Sequence, residues 1–194
     1  MTRKRCLPGL ILLFCLAGCM PPGSGTGGPP PLARTALADG AVVVAGAEGY
    51  CIDPVTLSRR KDRDFAVIAS CNILSGGTTG RVVAPVMITV TVGTLDPTPT
   101  LPAPAMLARE AGQTLVRGDT RNGLVVAQLA GGGSDLLEGG DPRYWRGAFV
   151  QNGHMVGLAL YAPQGSVLAG PDGAAMLRAV HEQIGRLSPS GLTQ

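Results

Sequence analysis

Two eight-residue runs, Tyr144–Gln151 and His154–Tyr161, flank the dipeptide Asn152-Gly153. Asn-Gly is a strong hairpin signal, because both central residues of a tight two-residue turn need positive φ. With such a turn Gln151 faces His154, Phe149 faces Val156, Gly147 faces Leu158 and Trp145 faces Leu160. Side chains alternate across a strand, so one face gathers Trp145, Phe149, Val156, Leu158 and Leu160. The other face carries Ala148, Gly157 and Ala159 with Val150 and Met155. Small residues there either admit a close neighbour or leave a less buried side. A chain with this hairpin needs a sheet whose core lies on the Trp145 face.

The rest of the chain supplies strands for that sheet and a helix to cover it. Residues 41–45, AVVVA, read as a buried strand. Gly46 and Gly49 then bracket a bend before Tyr50-Cys51-Ile52. Residues 65–71, FAVIASC, return as a second strand that pairs with the first. Residues 82–92 form a third, in which Val86, Ile88, Val90 and Val92 alternate with Met87, Thr89 and Thr91, so one face is buried. Residues 96–104, DPTPTLPAP, lack the donors for a ladder and cross the surface. Pro104 then suits the first position of a short helix over 105–111, ended by Gly112. Residues 115–117 and Leu124–Leu129 flank a second Asn-Gly turn at Asn122-Gly123. Gly170-Pro171-Asp172 opens a final helix. Its apolar stripe is Met176, Val180, Ile184 and Leu187, backed by Leu177. Arg178, His181, Glu182 and Arg186 take the wet side, and Pro189 stops it. The expected fold is α+β, mainly an antiparallel sheet with a C-terminal amphipathic helix packed on one face. No internal repeat is visible.

The amino terminus carries a different message. Arg3, Lys4 and Arg5 precede an apolar run over residues 7–16, which ends in Leu16-Ala17-Gly18-Cys19. A spanning helix needs about 20 apolar residues, so the run suits the apolar region of a signal peptide. Positive charge ahead of it stays on the cytoplasmic side. The closing tetrapeptide resembles the lipobox of bacterial lipoproteins. That resemblance implies a diacylglycerol on the Cys19 thiol, cleavage just before it, and further acylation, palmitate included. Stable anchoring takes more than one chain, at about 0.8 kcal/mol per buried CH₂. Met20 stands where inner-membrane retention favours Asp, so the resemblance points to the outer membrane, facing the periplasm. The expected organisation is residues 1–18 as signal peptide, 19–36 as lipidated cysteine and Pro/Gly-rich disordered tether, 37–188 as one α+β domain and 189–194 as tail. A soft tether over 20–34 reaches roughly 20–25 Å.

Removing the signal changes the charge. Of 16 basic residues three leave with it, so 13 remain against 13 acidic residues, and the mature chain is formally neutral. Nucleic-acid binding wants a basic excess, and none survives. Cys6 and Cys15 belong to the signal. Cys51 and Cys71 are left as an even pair in an oxidising compartment, where a disulfide is the expected state. Two free thiols or a metal site are the alternatives, but zinc needs about four closely spaced ligands and only His154 and His181 remain as soft donors. No metal and no cofactor is expected.

No motif for a catalytic site is present: neither Gly-x-Ser-x-Gly nor His-Glu-x-x-His. Residues 75–81, SGGTTGR, lack the Gly-Lys-Ser/Thr ending of a phosphate loop. His154 and His181 read as surface histidines. Asp135, Glu138 and Asp141 fall in one Gly-rich loop without the alternation of a calcium site. Trp145 and Tyr144 are candidates to line a pocket, but the hairpin geometry makes Trp145 a core residue by preference. Residues 58–64, SRRKDRD, read as a solvated loop, with docking to an anionic partner as the sharper alternative. Arg117-Gly118-Asp119 spells an integrin-type tripeptide and is read as incidental.

The pattern over residues 144–187 is similar to Mog1/PsbP-type α+β domains, and the whole mature chain resembles small lipoproteins of alphaproteobacteria. Neither likeness transfers a functional residue. The expected function is therefore a membrane-anchored envelope lipoprotein with a non-enzymatic binding or assembly-accessory domain, held to the membrane through Cys19 and meeting another envelope protein. The alternative is a periplasmic hydrolase or ligand-binding enzyme whose site is assembled from distant residues.

Overall fold

The structure is a computed structural model that describes residues 28–190. Cys19, the lipobox and the signal peptide lie outside the described residues, as do residues 191–194. In chain order the elements are β1 (Arg34–Leu37), β2 (Val42–Ala45), β3 (Tyr50–Ile52), β4 (Ser58–Arg59), β5 (Arg63–Ser70), α1 (Cys71–Leu74), β6 (Met87–Leu95), α2 (Pro104–Glu110), β7 (Leu115–Arg121), β8 (Leu124–Leu129), β9 (Tyr144–Gln151), β10 (His154–Tyr161) and α3 (Asp172–Leu187).

Asn152 at φ 50° and Gly153 at φ 77° make the left-handed turn that a two-residue hairpin needs. The β9–β10 register follows from it: Gln151 opposite His154, Phe149 opposite Val156, Gly147 opposite Leu158 and Trp145 opposite Leu160. β10 then pairs with β6 along its other edge. The main sheet runs β3-β5-β6-β10-β9-β8-β7, with β4 beside β3 on the outer edge of β5. Every pairing in it is antiparallel. The chain is thus α+β, and mostly sheet.

One sheet face carries the main core. Trp145, Phe149, Val156, Leu158, Leu160, Ile88, Val90, Val92, Ala66, Ile68 and Leu124 are buried there under α3 and the β1–β2 hairpin. α3 supplies Ala174, Leu177, Val180 and Ile184, and the hairpin supplies Leu37, Val42 and Val44. Fully burying one such aliphatic side chain is worth about 1.5–3 kcal/mol. The helix lies close because Gly173 has no side chain: a Cβ there would sit 2.3 Å from Trp145 Cδ1. Trp145 in turn donates its indole N–H to the Gly170 carbonyl at 2.8 Å. The other face carries a smaller core, in which Leu107 and Ala108 of α2 cover Val125, Ala127, Ala148, Ala159, Tyr144 and Tyr161. The small residues Ala148 and Ala159 do admit a neighbour on this side.

Polar locks tie the layers together. Asn152 donates its side-chain N–H groups to the Ala41 carbonyl at 2.8 Å and the Pro189 carbonyl at 2.9 Å. The Val43 N–H donates to Ser188 Oγ at 2.9 Å. The tip of the β9–β10 hairpin therefore holds both the β1–β2 hairpin and the end of α3.

Several expectations need correcting. Residues 41–45 do not pair with 65–71. β2 pairs with β1 in a separate two-stranded sheet, and only β3 pairs with β5, Cys51 opposite Ala69. The cause is the bend at Gly46 and Gly49, where a Cβ on Gly46 would meet the Tyr50 carbonyl oxygen at 2.5 Å and Gly49 has φ 88°. It turns β2 out of the main sheet and over it. Residues 34–36, assigned to the tether, belong to β1, because Leu37 is fully buried and pulls its neighbours into register. Ahead of them Leu32 bridges Ile52 through two backbone bonds of 2.8 and 3.0 Å. The third strand begins at Met87, after Pro85, which cannot donate to a ladder; Val82 is 85% exposed. β7 extends to Arg121 rather than stopping at 117.

Cys51 and Cys71 are joined as a disulfide, with S–S 2.01 Å and Cα–Cα 4.9 Å. Its 20-residue separation makes it worth about 3 kcal/mol in the chain-entropy picture. The double variant Cys51→Ala/Cys71→Ala should lower the unfolding free energy by about that amount, read as an earlier urea midpoint with an altered slope. An unchanged midpoint would show that the bridge contributes nothing.

Candidate functional site

The charged run at residues 58–64 is not a loose loop. Ser58 pairs with Phe65 and Arg59 with Asp64, and the Arg60 N–H donates to the Arg63 carbonyl at 3.0 Å. The result is a short hairpin with Lys61 and Asp62 at its tip. It rises at the start of β5 beside the turn that joins β1 to β2. Between them lies a cleft of about 440 Å³, lined by Arg59, Arg60, Lys61, Arg63, Asp64 and His154 among others, with Val92–Leu95 as its floor. A second hollow of about 340 Å³, on the Phe65 and Thr91 side of β5, shares Arg60 and Arg63.

The walls of the cleft are tied by named bonds. Asp64 Oδ2 accepts the Ala38 N–H at 2.7 Å, and Arg59 Nη2 donates to the Ala36 carbonyl at 3.0 Å. Ala38 at φ 49° and Asp39 at φ 51° are both left-handed without being glycine. Such residues cost about 1–2 kcal/mol each and persist where the surroundings over-determine them. Here the Asp64 carboxylate holds the strained turn at the cleft's lip. His154 Nδ1 lies 2.8 Å from the Gly93 carbonyl, which only accepts, so Nδ1 carries the proton. Nε2 is left as an acceptor in the neutral ring.

Chemically the lining is suited to oxyanions. Guanidinium forks match carboxylate and phosphate oxygens in pairs, and three arginines and a lysine sit within five consecutive residues. The acids beside these cations are Asp39 and Asp64 in the lining, Asp64 accepting the Ala38 N–H, and Asp62 at the hairpin tip, whose Oδ2 lies 3.7 Å from Arg63 Nε.

The remaining candidates are scattered. His181 is half-buried on α3 with its ring edge-on to Phe149, centroids 4.6 Å apart. Burial holds its pKa below the ordinary histidine value, against a smaller raising effect of Glu182. Its placement on the wet face was wrong, because the β9–β10 hairpin reaches under that side of the helix. Asp135 and Glu138 are exposed, but Asp141 is buried. Asp141 accepts from Arg143 Nε and Nη2 at 3.0 Å each, from the Arg143 N–H at 3.0 Å and from the Gly165 N–H at 3.3 Å. It locks the 131–142 loop to the segment before α3. Trp145 is core, as its alternation requires. Among the described residues no three His, Cys, Asp or Glu side chains converge on a metal position.

Comparison with protein-family models, with curated proteins and with solved structures finds no match to this chain.

The Arg143 side chain, through its hydrogen bonds, brings the Asp141 pKa from 3.8 to about 2, against the raising effect of burial. A depressed carboxylate pKa adds stability above the unfolded value and loses it as pH falls through the folded one. Arg143 is 46% exposed, so solvent screening reduces the contribution to roughly 1–2 kcal/mol. Asp141→Asn should therefore cost about that much at neutral pH and flatten the stability profile between about pH 4 and 2. A profile identical to the parent in that window would remove the lock from the account.

Proposed function

We propose that the chain is a lipid-anchored envelope protein whose folded part binds an anionic envelope component at the β4–β5 cleft and does no chemistry on it. The observation that carries this reading is the concentration of Arg59, Arg60, Lys61 and Arg63 around one open cleft, in a mature chain that is formally neutral. Charge gathered in this way makes a local attractive field without a net charge on the molecule. The strained turn at Ala38 and Asp39 supports the same location.

The anchor is read from Leu16-Ala17-Gly18-Cys19 and from the short apolar run before it. Among the described residues no helix is long and apolar enough to cross a membrane. Acylated Cys19 would hold the protein to the outer membrane, facing the periplasm. The first described residues, 28–31, lie along Ile73–Thr79, past the Ser70 end of β5. The cleft lies at the Arg63 end of the same strand. Eight residues of strand separate the two by about 25 Å. The described residues thus begin at one end of the sheet, and the cations stand at the other. A partner across the periplasmic space, such as an acidic face of another envelope protein, fits this arrangement.

Two measurements test the two halves of the proposal. Cys19→Ser should abolish fatty-acid labelling in cells and leave an uncleaved precursor; labelling that persists would exclude the anchor. For the cleft, the full chain in detergent should be retained on a polyphosphate column at low ionic strength and released as salt screens the charges. The double reversal Arg60→Glu/Arg63→Glu should pass unretained with an unchanged melting temperature. Equal retention of parent and variant would place the binding elsewhere.

A further inference from the structure

The far edge of the sheet carries a pattern that neither the anchor nor the cleft uses. β7 pairs only with β8, so its outer edge has no strand beside it among the described residues. Val116 is 50% exposed, and Arg117, Gly118, Thr120 and Arg121 are exposed as well. An open edge of this length is a template for another strand.

The backbone alternation says which groups face outward. The turn at Asn122-Gly123 makes Arg121 and Leu124 a bonded pair, and the register then bonds Asp119 with Val126 and Arg117 with Gln128. Gly118 and Thr120 therefore turn their N–H and C=O groups away from β8. The Thr120 N–H is covered only by its neighbour, Asp119 Oδ1, at 2.8 Å.

The side chains say what fits the edge. Gly118 is the midpoint of the seven-residue strand Leu115–Arg121, with Arg117 before it and Asp119 after it. Read in the opposite direction, the same charges appear in complementary order. We propose that two copies of this chain pair β7 to β7, antiparallel, about a two-fold axis at Gly118. Arg117 then stands opposite Asp119 of the second copy, and Asp119 opposite its Arg117. Val116 is left over where the register shifts between Leu115 and Arg117, so the regular part of the contact is centred on Arg117-Gly118-Asp119. The contact is isologous, each copy offering the same patch. The two Arg–Asp couples fall at non-bonded positions, where opposed side chains come closest. An axis at Asp119 would set Arg117 against Arg121, and an axis at Thr120 would set the ordered Arg117 opposite Gly123 of the turn, so both are worse.

Arg117 is already set for this contact. Its Nε–H donates to Gln128 Oε1 at 2.6 Å, and its guanidinium lies 5.7 Å from the centre of the Trp145 ring. Gln128 is fully buried and donates in turn to the Ala169 carbonyl at 2.5 Å. The terminal nitrogens of Arg117 have no acceptor among the described residues. Ordering a long side chain normally opposes association; here the fold has ordered it beforehand. Asp119 Oδ2 already meets Arg121 Nε at 2.7 Å and Arg178 Nη2 at 3.9 Å; on pairing, its Oδ1 turns from the Thr120 N–H to Arg117 of the second copy. Gly118 fits the axis for a second reason: a Cβ there would lie 2.3 Å from Pro104 Cβ, so the middle of the edge is held free of a side chain. The dimer would carry its two basic clefts at the outer ends of one continuous sheet, but the pairing itself does not depend on the function of the cleft.

Sedimentation of the full chain in density-matched detergent tests the pairing. The parent should sediment as a dimer. Arg117→Glu and Asp119→Lys each set like charges across the axis and should weaken association about tenfold or more. An equimolar mixture of the two should restore it, because the new carboxylate then faces the new ammonium and Asp119 faces Arg117. Thr120→Pro, which removes an outward N–H and no bond to β8, should leave a folded monomer by near-ultraviolet circular dichroism. A parent that is monomeric throughout, an edge indifferent to Thr120→Pro, or a mixture no tighter than the single variants would each overturn the proposal.

Discussion

The pairing of β10 with β6 joins the two halves of this structure. β3, β4, β5 and β6 come from the first half of the chain; β7 to β10 are a meander from the second. Between Val156 and Tyr161 the contact runs through Val92, Val90 and Ile88 on the core face. That contact works only if β10 presents Val156, Leu158 and Leu160 to the same side as Phe149 and Trp145. The presentation is decided at Asn152-Gly153. A slip of one residue would turn every one of those side chains to the other face. Asn152 reinforces the turn by holding the Ala41 and Pro189 carbonyls, so the element that sets the register also gathers the covering layer.

Buried polar groups follow the same economy. Gln128, Asp141, Ser70 and Ser188 are the buried polar side chains among the described residues, and each has hydrogen-bond partners. Gln128 bonds the segment before α3, Asp141 ties the loop before β9 to the same segment at Gly165, Ser188 bonds β2, and Ser70 caps α1 at Ile73. The first three fasten distant segments to one another, and a buried polar atom without such a partner would cost about 1–3 kcal/mol. The cations of the β4–β5 hairpin and the outer side of β7 lie at opposite edges of the sheet, outside this packed interior.

Much of the fold was legible residue by residue. The β9–β10 register, the Trp145 core face, the alternation of β6 from Met87 to Val92 and the apolar stripe of α3 all follow from period and turn chemistry. Other features were hidden because their cause lies far away in the chain. His181 shares its helical face with charged residues, and nothing local shows that Phe149 comes up beneath it. Residues 41–45 look like a sheet strand, and the steric need for Gly46 against Tyr50 appears only once the chain has doubled back. Asp141 looks like one more acid in a glycine-rich loop until Arg143 and Gly165 close on it. The β4–β5 hairpin was read as a loop since it has neither a glycine turn nor an apolar face.

By itself the sequence determined the local geometry: which residues turn, which alternate, where the helix begins, which cysteines remain to pair and where the candidate lipid anchor stands. These depend on backbone conformation and on spacing within a few residues. Tertiary structure alone decided that the β1–β2 hairpin lies over the sheet, that four cations converge on one cleft, and that Arg117-Gly118-Asp119 occupies the middle of an open edge. Those depend on which distant surfaces exclude water together, and no period in the chain encodes that.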